Sequence, residues 1–156
     1  GYGAASDAFH VVATHPDGLG AVLAMEAAIA DAGIAKADVS YINAHATSTP
    51  IGDVSECKAI ETVFDALISS VSVSATKSMT GHMLGAAGAI EAIACIKSIE
   101  NDLVHPTINL DNIDPQLNSA FDFTPLVARK REVNVVLNNT FGFGGHAVTT
   151  VFKKFV

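Results

Sequence analysis

Apolar residues along this chain fall into two rhythms, and the points where one gives way to the other predict its elements. Residues 17–33, DGLGAVLAMEAAIADAG, carry apolar side chains on nearly every face of a helix, with Asp17 as its cap and Gly33 as its stop. VSYINA (39–44) is a short run with β-branched and aromatic residues, a strand that ends at the polar loop HATSTPIGD. Residues 52–67 set Cys57, Ile60, Phe64 and Leu67 at helical spacing, while Asp53, Lys58, Glu61 and Asp65 take other faces. That is an amphipathic helix bordering solvent. SSVSVSA (69–75) alternates and reads as a second strand, and MLGAAGAIEAIACIKSI (83–99) is apolar almost all round, interrupted only by Glu91 and Lys97.

The tail changes period. LVHPTINL is extended and proline-interrupted, NIDPQLNSAFDFTP is a loop rich in turn residues, and VNVVLNNTFGFGGHAVTTVFKKF reads as two antiparallel strands joined through FGFGG. The order α, β, α, β, α, β, β predicts an α/β domain with a mixed sheet. Two helices without a wet face are a difficulty for so small a domain. Either alanine-rich helices fill a small core, or a second half or subunit packs over them.

Composition narrows the function classes. At 156 residues with 49% apolar side chains, the chain has material for one real core. A net charge of -7 with nine scattered Lys and Arg excludes a phosphate-backbone partner. No apolar run reaches the roughly 18 residues that span a bilayer, and no charged-then-apolar leader opens the chain. Cys57 and Cys95 lie in helical patterns without metal or disulfide spacing, so a reducing compartment is expected: cytoplasm, or an organelle matrix or stroma. The chain starts at Gly1, and GYGAASDAFH opens as though in mid-domain, which suggests a fragment or a processed chain.

Three loops follow the expected strands: NAHATSTP, TKSMTGH and NNTFGFGG. Ligands of α/β sheets bind at the carboxyl ends of strands, so these loops converge on one site if their strands are neighbours. His45, among small polar residues, is placed to donate a hydrogen bond to a developing oxyanion, against the plain alternative of a surface histidine. His82 follows Gly81 at the start of a buried helix. Lys77 is either a solvated loop lysine or a charge that orients a site and keeps a neighbouring imidazole neutral. His10, His15, His105 and His146 have no comparable setting. Glycines 142, 144 and 145 permit positive φ and aim main-chain N–H groups at a ligand, with Phe141 and Phe143 covering an apolar pocket. No GxGxxG precedes a helix, no GxSxG elbow exists, and His45 with His82 lacks further ligands for zinc. Neither cysteine sits where a thiol pKa is lowered, so neither is a nucleophile.

Taken together, NAHATSTPIGD, SATKSMTGHMLGAAG, HPTINLD and NNTFGFGGH, in that order and at those separations, strongly resemble the C-terminal half of the β-ketoacyl-acyl carrier protein synthases. The resemblance runs from GYGAASDAFH to VFKKF, and TKSMTGH is similar to the elongating type II enzymes rather than to polyketide or thiolase relatives. It implies a thiolase-like half, residues 1–156, of an αβαβα layered sandwich whose other half covers the alanine-rich helices. It also implies decarboxylative Claisen condensation of a malonyl thioester with an acyl group held on a cysteine. His45 and His82 match the two neutral histidines that donate to the malonyl thioester oxygen. Lys77 matches the lysine that organises the site, Phe141 the gating phenylalanine whose backbone N–H also helps hold the acyl-thioester oxygen, and Gly142 the source of its mobility. Thr47 and Thr49 match hydroxyls of the pantetheine tunnel, with Phe143 beside them, while Glu56 and Glu91 match structural or ion-binding glutamates.

No metal or cofactor is implied, since phosphopantetheine arrives on acyl carrier protein. The implied partners are the N-terminal half, acyl carrier protein and a second subunit, in a homodimer. The nucleophilic cysteine belongs to the other half, so the chain alone is expected to be inactive. Ala46 replaces the usual glycine after the first histidine, and Val12 a frequent threonine. Arg129, Lys130 and Arg131 form the only basic cluster for an acidic carrier. A non-catalytic scaffold, like chain-length-determining relatives, is the alternative reading.

Overall fold

A computed structural model describes residues 1–155. In chain order it contains β1 (Tyr2–Ser6), α1 (Leu19–Ala32), β2 (Tyr41–Asn43), α2 (Gly52–Phe64), β3 (Ser72–Ser74), the short α3 (Lys77–Thr80), α4 (Ala87–Asn101), β4 (Leu103–Val104), β5 (Arg129–Lys130), β6 (Val135–Gly142) and β7 (His146–Lys153). One five-stranded sheet has the order β1-β7-β6-β2-β3, and β4 pairs with β5 separately. β2 runs parallel to β3 and β6, whereas β6–β7 and β7–β1 are antiparallel. The expected α/β class and mixed sheet are thus the observed ones.

The pleat sorts the core into two clusters. Val135 and Leu137 of β6 pack with Met25 and Ile29 of α1 and Ile60, Val63 and Phe64 of α2 on one face. Val136, between them in sequence, joins Tyr41, Cys95, Ile99 and Val104 under α4 on the other. The result is a layer of helices on each face of the sheet.

Several boundaries differ from the sequence expectation. β1 was read only as an abrupt opening, because YGAAS has no β-branched residue. It forms because Gly3 lets the backbone press on α1, where a Cβ would stand 2.1 Å from Ala24 O. Asp17 does not cap α1: Gly18 does, at φ 66 and without a side-chain bond, while Asp17 pairs with Lys58. Gly33 ends the helix as expected, at φ 63. The second helix stops at Phe64 and continues as a 3₁₀ segment to Ser70. The third starts at Ala87 after a 3₁₀ turn at Leu84–Ala86.

The alanine-rich helices do show a wet face in the single chain, and it is apolar. Leu19 and Leu23 of α1 are 44% and 47% exposed, and Ile90, Ile93 and Ile96 of α4 are 37%, 55% and 40% exposed. Fully burying such side chains contributes roughly 1.5–3 kcal/mol each, so the outer face of α4 is a surface that gains by being covered.

Candidate active site at the carboxyl ends of the parallel strands

Because β6, β2 and β3 are parallel neighbours, their carboxyl ends open on one edge of the sheet. His45 follows β2, Lys77 opens α3 just after β3, and Phe141 lies near the end of β6. The rings of His45 and His82 meet edge to face at 5.5 Å, and His45 lies 5.3 Å from the Phe141 ring. Gly81, at φ 71, turns the chain out of α3 and aims His82. A Cβ there would meet nothing within 4 Å, so the glycine serves its backbone angle and not a close approach.

The two imidazoles differ in their support. His82 is exposed, and its Nδ1 accepts a hydrogen bond from Leu84 N at 3.2 Å. In the neutral ring the proton therefore sits on Nε2, which is free to donate. His45 is half-buried, and its Nδ1 is enclosed without a partner, which leaves Nε2 as the nitrogen able to reach a ligand. Burial first, then the Lys77 ammonium, then His82, push its pKa down from 6.5 to about 3. Desolvation thus leads, and the like charge expected from Lys77 comes second.

Lys77 is buried and ion-paired with Oε1 of Glu91 on α4, and Glu91 Oε2 is buried with no partner among the described residues. Burial raises the Glu91 pKa, and the bond from Lys77 opposes that rise. Glu56 acts on His45 through the main chain: its Oε1 accepts His45 N at 2.9 Å and its Oε2 accepts Ala46 N at 2.8 Å. Asn139 Nδ2 holds Oε1 at 3.1 Å, and Thr149 holds Asn139 Oδ1 at 2.8 Å. Burial raises the Glu56 pKa, and these donors oppose it.

This clamp fixes Ala46 at φ 30, where an L side chain is strained. Releasing about 1–2 kcal/mol of strain outweighs losing a half-buried methyl, worth well under about 0.8 kcal/mol. Ala46→Gly is therefore expected to stabilise the fold by roughly 0.5–1 kcal/mol, read as a raised urea midpoint at constant m-value. A pH series tests the His45 environment. An unfolded chain takes up the His45 proton near 6.5 and the folded chain only near 3, so the unfolded state binds more protons between those values. Stability therefore falls through this group as pH drops across that window. His45→Asn should flatten the slope in urea titrations from pH 6.5 to 3, and an unchanged slope would refute the assigned environment.

Thr47 Oγ1 and Thr49 Oγ1 lie 3.2 Å apart on the loop after His45. Thr47 also lines a cavity of about 400 Å³ with Ala46, Lys77, His82 and Ile108, which reaches Cys57 and Phe123. A wider groove of about 970 Å³, lined by Ser40, Arg131 and Lys154, holds none of the candidate catalytic residues. Positive φ occurs at Gly144 and Gly145 of the β6–β7 hairpin, but Gly142 is extended and pairs with His146. Phe141 packs against the core, whereas Phe143 is 78% exposed, and neither lines the cavity the sequence expectation gave them. Burial raises both cysteine thiols far above their usual range, in keeping with their exclusion as nucleophiles. Val12 is 58% exposed, its amide bonded to His10 Nδ1.

The basic cluster is largely spent within the chain. Arg129 pairs with Asp122, and Arg131 bonds Ser72 Oγ and Ser70 O, so only Lys130 has no partner among the described residues. Among the described residues no His, Cys, Asp and Glu cluster could hold a metal ion, and no helix is long and apolar enough to cross a membrane. Sequence reasoning missed His105: it sits among Tyr41, Ser74 and Thr76, hydroxyl-bearing residues whose convergence only the fold reveals.

Two facing imidazoles beside a buried ammonium are thus set on a mixed α/β fold with a bare apolar helix. Residues 1–111 match the family described as Beta-ketoacyl synthase, C-terminal domain, and the chain belongs to that family. It is 49% identical over 155 residues to 3-oxoacyl-[acyl-carrier-protein] synthase 2 of Synechocystis sp. and 48% identical to the protein of that name from Staphylococcus aureus. Each alignment covers 99% of this chain, and the chain spans 37% of the length of these relatives. Among solved structures, a β-ketoacyl synthase from Burkholderia phymatum superposes with a TM-score of 0.91 at 35% identity, covering 100% of this chain and 37% of that one. A type II polyketide ketosynthase bound to its acyl-carrier protein superposes with a TM-score of 0.93 at 33% identity, covering 99% and 38%. The thiolase-like half expected from the sequence is the fold these structures share.

Proposed function

We propose that this chain is the His/His/Lys part of a 3-oxoacyl-acyl carrier protein synthase of fatty acid biosynthesis. The facing pair of His45 and His82 carries the reading. With Nδ1 of His82 bonded and Nδ1 of His45 enclosed, Nε2 is the donor left on each ring of the 5.5 Å pair, and a malonyl thioester oxygen held between them takes two hydrogen bonds. When the Cα–carboxylate bond breaks, carbon dioxide leaves, its bonding pair enters the thioester as an enolate, and the two N–H groups stabilise the oxygen that gains charge. The enolate carbon then attacks an acyl thioester carbonyl, and the cysteine thiolate that carried the acyl group departs. Burial, and after it the Lys77 ammonium, keeps His45 neutral, and thus a donor that is not itself an acid.

The nucleophilic cysteine comes from a part of the synthase this chain does not span, because half-buried Cys57 and buried Cys95 lie within helices and burial raises both thiol pKa values. The same part covers the bare face of α4. Alone, the chain is inactive. Acyl carrier protein brings its phosphopantetheine past Thr47 and Thr49, no metal or cofactor is called for, and the synthase is a homodimer of the cytoplasm or an organelle matrix or stroma. The gate is reassigned. Phe141 is held in the β6–β7 ladder against His45, so the ring free to swing is Phe143 at the hairpin tip.

The test is malonyl-thioester decarboxylation by the chain combined with the remainder of the synthase. Turnover supports catalysis, and none supports a scaffold of the chain-length-factor kind, which has no need for all three of His45, Lys77 and His82.

A further inference from the structure

We infer that residues 105–108, HPTI, are the positioning element for Lys77, with His105 and Thr107 as positioning residues that act on the ammonium through the turn they hold. The inference rests on the role of Lys77 proposed above. α3 contains four residues and β3 three. Isolated helices much shorter than about 12–15 residues do not hold themselves together, so the geometry of this turn must come from outside it.

Every neighbour of Lys77 from Ser74 to Ser78 is tied to the HPTI segment. The Ser74 hydroxyl meets His105 Nδ1 at 3.2 Å, and Ala75 N donates to Thr107 Oγ1 at 3.1 Å. The Thr76 hydroxyl meets His105 Nε2 at 2.9 Å, and Ile108 N donates to Ser78 Oγ at 3.0 Å. Thr107 Oγ1 is itself anchored, donating to Phe123 O at 3.0 Å, and Tyr41 OH meets His105 Nε2 at 2.8 Å. Lys77 alone makes no bond to the segment and turns to Glu91 on α4.

The opposite support starts from the same place. Thr76 donates to Asn43 Oδ1 at 2.7 Å, Asn43 Nδ2 to Asn138 Oδ1 at 2.9 Å, and Asn138 Nδ2 to Gly88 O on α4 at 3.3 Å. The ammonium and its carboxylate thus stand on two elements referred to one buried asparagine, and the strap fixes the ammonium relative to His45. The titratable groups around this site are His45, His82, Lys77, Glu91, Asp53, Glu56 and Cys57 of α2, and His105 and Tyr41 behind the turn.

The experiment uses the full-length synthase with Thr107→Val, which keeps shape and loses the hydroxyl, and Thr107→Ser, which restores it. Thr107→Val is expected to lower kcat for malonyl-thioester decarboxylation about tenfold with KM within about twofold. It should also move the acid limb of the pH profile up by about one unit, because a displaced ammonium depresses His45 less. Thr107→Ser should return both. A Val variant with the wild-type limb, active or not, overturns the inference, as does a Ser variant that behaves like Val. If the unmodified synthase does not decarboxylate, the proposed function fails, while NMR titration of the His45 imidazole in the same proteins still reads the strap: an upward shift in the Val variant supports it and no shift overturns it. Should Thr107→Val not fold, His105→Gln, which keeps a donor and an acceptor, carries the same shift in the same direction, and its absence is decisive.

Discussion

Replacing His45 or His82 by alanine in the full-length synthase is expected to lower malonyl-thioester decarboxylation by about 10²–10³-fold each, the usual cost of one oxyanion donor. The effect falls on kcat, with KM little changed, because the hydrogen bonds strengthen only as charge moves onto the oxygen. His82→Asn and His45→Asn keep an N–H near the same place and should retain more activity than the alanine variants. The prediction follows from the 5.5 Å ring pair, from the bond that fixes the His82 proton on Nε2, and from the enclosure of His45 Nδ1. Steady-state release of carbon dioxide measures it. An alanine variant that keeps a tenth or more of the wild-type kcat, a loss of tenfold or less, would remove that histidine from the site.

The second large effect is on stability. Glu91→Ala leaves the Lys77 ammonium buried without its carboxylate, and breaking such a pair from one side costs about 3–5 kcal/mol. Solvent screening cannot rescue it, since the two side chains are only 5% and 2% exposed. Lys77→Met combined with Glu91→Leu should recover most of the loss, because apolar replacement of both partners removes the uncompensated charge and its desolvation together. Urea unfolding of the single and double variants gives the comparison. A loss below about 1 kcal/mol for Glu91→Ala would place the pair among weakly contributing exposed bridges, contrary to its burial.

Glu91 also shows where reading the chain alone fell short. In sequence it is one acid interrupting an apolar helix, fourteen positions from Lys77, and nothing in the helical period says which of them faces the other. His105 was passed over for the same reason, since its companions come from β2, β3 and the turn after β3. The resemblance places the gate on Phe141, one of two phenylalanines that alternate with glycines in one loop. Pairing of β6 with β7 through His146 decided which of them is free.

What the sequence determined by itself was local: two apolar helices, the amphipathic α2, the antiparallel final hairpin and the motifs bearing His45, Lys77 and His82, all of which depend on period and on residues near one another. It also determined that α4 would carry more apolar surface than its own sheet can cover, which its exposed isoleucines bear out. The tertiary structure decided β1, which exists because Gly3 lets a strand touch α1, and the parallel order that brings three loops to one edge. It decided the protonation of His45 and the pairing of Lys77 as well. Burial and charge proximity are properties of distance in space, and a linear order of residues does not contain those distances.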